Sequence, residues 1–478
     1  MWLLRDFSAE EPRQNLMTIV RALVYLITTV FFVYGVMRLR QPATARSGNS
    51  LAAVGMFLAL VVTLIGVSIN HPVILIIGIL VGGVVGATSA RMVPMTAMPQ
   101  MVALFNGMGG GAAALVACGS VLRVVSTTKI GPAGLAIAMI DILIGAVSFS
   151  GSIIAFAKLN EWMTGRPITY RGQRTVNAVV FGLLVVGAIY LVASGAARHE
   201  GIFVVYALGA VALGVLGVVP IGGGDMPVII SMLNSFTGLS VAATGFLLGN
   251  DVLIVAGTFV GASGAILTQL MSQAMNRPLG NIVFGAFGKL QTGAGETREG
   301  TVQRTAPEDV AILLSYANRV VIVPGYGLAV ARAQQEVKEL MTRLEAKGVD
   351  VMFGIHPVAG RMPGHMNVLL AEVDVPYQKL YDMDAINSEF PRTDVVLVVG
   401  ANDVTNPDAR SNPNSPIYGM PILNVDQAQR VIVLKRSMSP GFAGIDNPLY
   451  VHPKCQMLFG DARQSLSQLL QALSEVVA

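Results

Sequence analysis

Arg319-Val320-Val321-Ile322-Val323-Pro324-Gly325-Tyr326-Gly327-Leu328-Ala329-Val330 is the stretch that decides how the chain is read. Its first half is apolar and mostly β-branched, the pattern of a short buried strand. A Gly-x-Gly-x-x-Val turn follows. A helical pattern then runs from about 328 to 347, with Val330, Val337, Leu340, Met341 and Leu344 on one face. Gly348 reads as its cap and Val349 to Ile355 as the next strand. This is a βαβ unit. The first glycine permits a tight turn, the second lets a backbone approach a pyrophosphate, and the helix start offers amide donors. A lone Gly-x-Gly is weak, but between a strand and a helix it is specific enough to use.

Downstream the pattern repeats. Val395–Val399 leads into Gly400-Ala401-Asn402-Asp403, and Val431–Leu434 into Lys435-Arg436-Ser437. Met457-Leu458-Phe459 leads into Gly460-Asp461-Ala462 and a final helix. An open parallel sheet binds ligands outside the carboxyl ends of its strands, where all these signals stand. An NAD site places an acid at the end of the second strand. Here that end is Gly354-Ile355-His356-Pro357, without an acid. Lys435 and Arg436 offer two cations and Ser437 a hydroxyl, a set suited to a 2′-phosphate. The competing explanation is a solvated basic strand end. Beside the glycine turn, NADP is favoured over NAD.

Upstream the composition changes. The chain is 53% hydrophobic and only 13% charged over 478 residues, with a mean hydropathy of +0.63. A soluble protein carries about 25% charged residues. The ionisable groups concentrate after residue 275. A spanning helix needs about 20 apolar residues. Nine segments qualify, near 17–37, 51–69, 72–90, 99–120, 133–157, 176–194, 201–220, 226–249 and 251–272. Arg38, Arg40, Pro42, Arg46 and Gly48 break the first pair. His71-Pro72 separates the second and third, and Lys158, Arg166, Arg171 and Arg174 the fifth and sixth. Basic residues concentrate in connections 1–2, 3–4 and 5–6, which places the N-terminus outside and the C-terminal part in the cytoplasm. The expected class is therefore multi-domain. An all-α transmembrane bundle spans 1–275, a flexible turn-rich linker 276–318, and a Rossmann-like α/β domain with a parallel sheet 319–478.

Polar residues inside spans are costly and informative. Asn106, Asp141, Asn234, Ser263 and Thr268 stand within spans, and Asp225 and Asp251 at helix ends. Any one can simply bond a neighbouring helix; together they suit a hydrated proton path. The many glycines, such as Gly257, Gly261 and Gly264, read first as close helix packing. Cys118 and Cys455, one in each half, make neither a disulfide framework nor a metal site. Asp6, Glu10 and Glu11 before the first span argue against a cleaved signal. No basic stripe with interleaved aromatics points to nucleic acid.

Several long stretches resemble the beta subunit of proton-translocating NAD(P) transhydrogenases. In the membrane part these are Gly223-Gly224-Asp225-Met226-Pro227-Val228, Ser231-Met232-Leu233-Asn234-Ser235 and Val260-Gly261-Ala262-Ser263-Gly264-Ala265-Ile266-Leu267. In the back domain they are Pro324-Gly325-Tyr326-Gly327, the run from Gly354 to Glu372, Gly400-Ala401-Asn402-Asp403 and Lys435-Arg436-Ser437. The resemblance implies reversible hydride transfer between NAD(H) and NADP(H), coupled to proton movement across a cell (inner) membrane. It implies that this chain holds NADP(H), that a separate alpha subunit holds NAD(H), and that alpha–beta units pair as a dimer in the lipid bilayer. It also implies site residues. Gly325, Tyr326, Gly327 and Val330 would approach the dinucleotide. Val358, Ala359, Gly360, Arg361, Met362 and Pro363 would meet the pyrophosphate. Gly400, Ala401, Asn402, Asp403 and Val404 would lie near the nicotinamide, with Asp403 as the ionisable group tied to coupling. Lys435, Arg436 and Ser437 would hold the 2′-phosphate. Met438, Ser439, Pro440, Gly441 and Phe442 look like a lid, and Gly419, Met420, Asp461 and Ala462 like further contacts. Asn106, Asp225, Asn234, Ser263 and Gly264 would line the proton path. The chain departs from the family pattern at Asn106, where some members carry a titratable histidine, and at Phe442, where the lid usually carries Tyr.

A proton crossing a potential gains ~2.3 kcal/mol per 100 mV, enough to shift a cofactor ratio more than tenfold. The alternative from another class is an ion channel or transporter gated by a nucleotide-binding domain, but the chain has no Thr-Val-Gly-Tyr-Gly filter. A membrane-anchored reductase would need a flavin, haem or iron–sulfur relay, which two cysteines without an intramembrane histidine pair do not supply.

Overall fold

The structure is a computed structural model. It describes residues 10–39, 42–66, 72–94, 97–126, 131–164, 167–194, 200–223, 225–275, 279–280, 301–360, 364–415, 417–441 and 443–475. Among these, nine helices are long and apolar enough to cross a membrane. They are α1 (Glu10–Leu39), α2 (Pro42–Gly66), α3 (Pro72–Met92), α4 (Met98–Ser126), α5 (Pro132–Leu159), α6 (Gln173–Ser194), α7 (Glu200–Val218), α8 (Met226–Leu248) and α9 (Asp251–Ala274). The chain is a multi-pass membrane protein. Pro42 begins α2 rather than ending a loop, and Arg46 and Gly48, expected in the first connection, lie inside that helix. Gly48 is a packing residue: a Cβ there would stand 2.6 Å from the Gly35 carbonyl oxygen of α1.

The helices pack by small residues rather than by apolarity, since lipid is as apolar as they are. The buried face of α9 is Gly257, Gly261, Gly264, Thr268 and Met271, a stripe of helical period. It lies directly on α8, where a Cβ on Gly238 would come within 2.7 Å of the Gly261 Cα. Half of α5 is buried, including Asp141, Ser148, Ser152 and Lys158, and it contacts α4, α6, α7 and α8. It is the central helix of the bundle.

The back domain is a six-stranded parallel sheet, with β1 (Arg319–Pro324), β2 (Asp350–Ile355), β3 (Leu380–Asp382), β4 (Val395–Val399), β5 (Arg430–Lys435) and β6 (Cys455–Phe459). Strand order is β3-β2-β1-β4-β5-β6, the doubly wound arrangement whose direction reverses between β1 and β4. The central strands are apolar throughout because both faces are covered. Four more helices complete the layers described here: α10 (Pro307–Ser315), α11 (Tyr326–Ala331), α12 (Gln334–Ala346) and α13 (His365–Glu372), followed by the C-terminal α14 (Ala462–Glu475).

Three details differ from the sequence expectations. The helix expected over 328–347 is two helices, α11 and α12, because Arg332 takes a left-handed backbone (φ 51°). The break lets Ala333 turn into the core. Residues 301–318, placed within the linker, belong to the sheet domain. Arg304 bridges to Met457 beside β6, and Val310, Ala311 and Leu314 of α10 are buried in the core that α14 shares. The remainder of the expected linker, except 279–280, lies outside the described residues. β3 was not anticipated.

Candidate functional site

Two loops cross where the sheet reverses direction. The Gly325 N–H donates to the Val399 carbonyl at 2.9 Å and the Gly327 N–H to the Gly400 carbonyl at 3.0 Å. Gly400 itself sits at φ 69°. A Cβ on Gly325 would be 2.5 Å from the Ala401 Cα, and one on Gly327 2.7 Å from the Gly400 Cα. Both glycine amides therefore serve the neighbouring loop. The structure gives these glycines a local role as well: three glycines let two loops touch. The helix that starts here, α11, has only 6 residues, so its dipole is small.

The cations stand next to this crossing. β5 delivers Lys435, whose Nζ donates to the Ser439 carbonyl at 2.5 Å and lies 4.9 Å from the centre of the Tyr450 ring. Burial pulls the Lys435 ammonium below its ordinary value, against the pull of the Asp403 and Asp446 carboxylates. Arg436 and Ser437 follow on the exposed side, and the Ser437 hydroxyl bonds that of Ser439 at 2.9 Å. The Asn402 amide satisfies all its neighbours when its oxygen faces the Gly441 N–H (2.6 Å) and Lys435 Nζ (3.1 Å) and its nitrogen faces Tyr450 Oη (2.7 Å). Asp403 Oδ2 accepts from the Ala443 N–H at 2.8 Å. A Cβ on Gly441 would touch Asp403 Oδ1 at 2.5 Å and the end of the Asn402 amide at 2.6 Å. Gly441 and Ala443 thus lie against Asn402 and Asp403, with glycine at the point of closest contact.

Beyond β2, His356 is 1% exposed. Its Nε2 bonds the Pro421 carbonyl at 2.9 Å and its Nδ1 accepts from the Val358 N–H at 3.2 Å. That pattern sets the neutral tautomer with the proton on Nε2. Burial pushes its pKa down to about 4, the Pro421 bond opposing this. His356 thus pins the start of the 358–360 loop.

All three segments open on one cavity of about 1060 Å³. Its walls include Gly325, Tyr326, Gly327 and Val330, then Val358, Ala359 and Gly360, then Gly400 to Val404. Met420, Lys435, Arg436, Ser437, Ser439, Pro440, Gly441, Asp461 and Ala462 complete that side. Gly419 and Met438 are not on the wall: Gly419 turns at φ 80° and bonds the Ala409 carbonyl, and Met438 is solvent-exposed. Arg361, Met362, Pro363 and Phe442 lie outside the described residues. The opposite wall is made by the ends of membrane helices: Lys158, Glu161, Gly222, Gly223, Asp225 and Met271. Glu161 was not singled out in the sequence, and Lys158 only as a basic residue between the fifth and sixth spans. The Lys158 ammonium caps the end of α7 through the Val219 (2.5 Å) and Ile221 (2.7 Å) carbonyls. A basic residue closing an apolar span reads as a topology signal, which hid that role.

Within the bundle, Asn106 and Gly264 are buried while Ser263 is exposed. Asn106 Nδ2 donates to the Ser152 hydroxyl at 2.9 Å. The Gly264 carbonyl accepts from Ser231 at 3.1 Å, an α8–α9 contact. Ser263 falls off the buried stripe of α9, and its hydroxyl turns back to the Val260 carbonyl. Asn234 is half-buried on α8. The structure therefore groups Asn106 with serines of α5, leaves Ser263 on another face, and puts Asp225 on the cavity.

The family described as "NAD(P) transhydrogenase beta subunit" matches residues 21–472. A relative named "NAD(P) transhydrogenase subunit beta" from Rhodospirillum rubrum is 44% identical over 458 residues, 94% of this chain and 98% of its own length. A second of the same name, from the strain ATCC 11170 of that organism, matches to the same extent. The match runs through both the helix bundle and the sheet that close the cavity, so neither part is borrowed alone. The chain belongs to the NAD(P) transhydrogenase beta subunit family.

Proposed function

We propose that this chain is the NADP(H)-holding, proton-conducting subunit of a transhydrogenase, active with a partner alpha subunit that holds NAD(H). The observation that carries it is the single cavity described above. One wall presents a loop crossing at the sheet's switch point with two cations and a hydroxyl; the other presents membrane-helix ends with Asp225. The donor set suits a 2′-phosphorylated dinucleotide: Lys435, Arg436 and Ser437 for the 2′-phosphate, and the 358–360 loop for the pyrophosphate. The volume exceeds that of an ordinary small-ligand pocket. NADP(H) supplies the hydride-carrying nicotinamide when bound. Asn402 and Asp403 border its part of the cavity, beside Ser439, Pro440, Gly441 and Ala443. Asp403 ties that segment to the ionisation of the site, since its carboxylate holds the Ala443 amide and faces Lys435.

The basic residues of the odd-numbered connections support an N-terminus outside and a cytoplasmic sheet domain in a cell (inner) membrane. The subunit naming of the relatives supports an alpha partner, and pairing of alpha–beta units as a dimer in the bilayer is part of this proposal. The test is to reconstitute the full chain with a candidate NAD(H)-binding subunit in sealed vesicles. Hydride exchange between the two cofactors and proton uptake are then measured together. Exchange accompanied by uptake is expected. Ion flux without hydride exchange would replace the proposal with a nucleotide-gated channel.

A further inference from the structure

Asp141 is 0% exposed in the middle of the bundle. Its two carboxylate oxygens accept from hydroxyls of α8: Oδ1 from Ser240, and Oδ2 from Thr244 at 2.6 Å. Among the described residues no cation pairs with it. The ionisable groups brought near it by the packed helices are the Cys118 thiol of α4 and, beyond that, the Tyr206 phenol of α7, which bonds the Met139 carbonyl. An ionisable side chain at this depth is costly and marks an ion or proton pathway.

Asp141 is also in line with the other buried polar groups. Asp141, Ser148 and Ser152 fall at i, i+7 and i+11 of α5, one face of the helix. Thr237, Ser240 and Thr244 fall at i, i+3 and i+7 of α8, the face that meets it. Ser148 and Thr237 share a hydrogen bond of 2.6 Å, and Asn106 Nδ2 reaches both Ser148 (3.4 Å) and Ser152 (2.9 Å). Asn106 Oδ1 is buried without a protein partner, so an acceptor is left within the seam. Between the two groups α4 and α5 touch at Gly110 and Gly145, where a Cβ on Gly145 would stand 2.7 Å from the Ser240 hydroxyl and one on Gly110 3.2 Å from the Ser148 hydroxyl, so both hydroxyls border the same contact. Lys158 stands at the nucleotide-domain end of the same helix, 17 residues or ~26 Å along α5 from Asp141. Hydroxyls and amides can pass a proton on. Of the groups in this seam between Asp141 and Ser152, only the carboxyl can keep one.

We propose that Asp141 is the side chain that binds and releases the translocated proton, in the half of the bundle away from the nucleotide domain. One proton joins a carboxylate oxygen and later leaves it; only an O–H bond forms and breaks. Ser240 and Thr244 are positioning residues that hold the carboxyl on the α5–α8 seam. This assigns the titrating role to α5, on the same seam as Asn106, which cannot titrate. The inference rests on the function proposed above.

The test uses the full chain reconstituted with its NAD(H)-binding partner in vesicles, comparing wild type, Asp141→Asn and Asp141→Glu. Asp141→Asn keeps the size and a hydrogen-bonding group but cannot bind a proton. It should lose proton uptake by more than about tenfold while NADPH binding, followed separately, stays within about twofold of wild type. Infrared difference spectra on exchanging NADP+ for NADPH should show a carboxylic C=O stretch in wild type that vanishes in Asp141→Asn and shifts in Asp141→Glu, which also recovers uptake. Wild-type uptake in Asp141→Asn would overturn the proposal. So would loss of uptake in both variants with no carboxylic band in wild type, since that is the mark of a structural carboxyl. Wild-type vesicles that exchange hydride without moving protons would instead sink the function proposed above, and this inference with it.

Discussion

Gly82 and Gly83 of α3 and Gly238 of α8 read alike in the sequence, as glycines in apolar spans. In the structure a Cβ on either α3 glycine would meet nothing within 4 Å, whereas one on Gly238 would collide with the backbone of α9. α3 has no buried residue at all and α8 has a buried face along its whole length. The difference teaches that apolarity places a helix in the membrane but does not place it in the bundle. Position there follows from where backbones touch and where polar groups find partners. The largest effect should therefore come at that joint. Gly238→Leu has no room and should destabilise the bundle by at least ~3 kcal/mol, read as loss of folded, NADPH-binding protein after detergent extraction. A normal yield would mean that α8 and α9 are not packed as described.

The same contrast extends to buried polar groups. In the bundle the Ser148 hydroxyl and the Asn106 amide nitrogen are paired, and in the sheet domain His356 is paired as a neutral ring. At neutral pH neither folded nor unfolded chain charges that ring appreciably. As pH falls through the ordinary value of 6.5, the unfolded chain takes up a proton and the folded one does not. Stability should fall until about pH 4, where the folded ring titrates too, by a total of roughly 3 kcal/mol. Chemical denaturation of the full chain between pH 7 and 4, followed by a probe in the sheet domain, checks this. His356→Asn should flatten that part of the curve. An unchanged slope would show that His356 titrates normally.

Next in size is the loop crossing. Gly400 needs both its positive φ and its missing side chain. Gly400→Val should push the β1 and β4 loops apart and cost about 100-fold in NADPH affinity, near 2.7 kcal/mol. On the proposed contact with the 2′-phosphate, Lys435→Ala should cost about tenfold for NADPH and little for NADH. Equal losses for both cofactors would move Lys435 to a pyrophosphate role.

Much of this architecture was legible beforehand, for identifiable reasons. Nine spans follow from length and apolarity, which a bilayer enforces locally. β1, β2, β4 and β5 are runs of apolar, largely β-branched residues because both faces of each are covered. β3 is only Leu380-Tyr381-Asp382 and partly exposed, so it carries no run to detect. The split between α11 and α12 falls in Ala331-Arg332-Ala333, residues that favour helix; tertiary packing of Ala333 decides it. The turn-rich linker hid α10 because its ordering comes from α14, more than a hundred residues later. Within the site, the glycine turn was legible as a turn, but the partners of its amides, the Val399 and Gly400 carbonyls of the neighbouring loop, were not. Asp141 was noticed as a polar residue in a span. Its pairing with Ser240 and Thr244, 99 and 103 residues away, could only come from the structure.

The smallest effect closes the comparison from the other side. Gly83→Leu on α3 adds a side chain where no protein atom stands within 4 Å. In lipid such a change adds apolar contact and raises helix propensity, so its effect on the stability of the subunit should lie within about 0.5 kcal/mol. The measurement has to be made twice, on the chain alone and on the reconstituted assembly. No change in either confirms α3 as a lipid-facing helix. No change in the chain alone, but loss of hydride exchange in the assembly, would mean that another subunit packs against α3. That outcome would make the apparent difference between the α3 and α8 glycines a difference of partner rather than of kind.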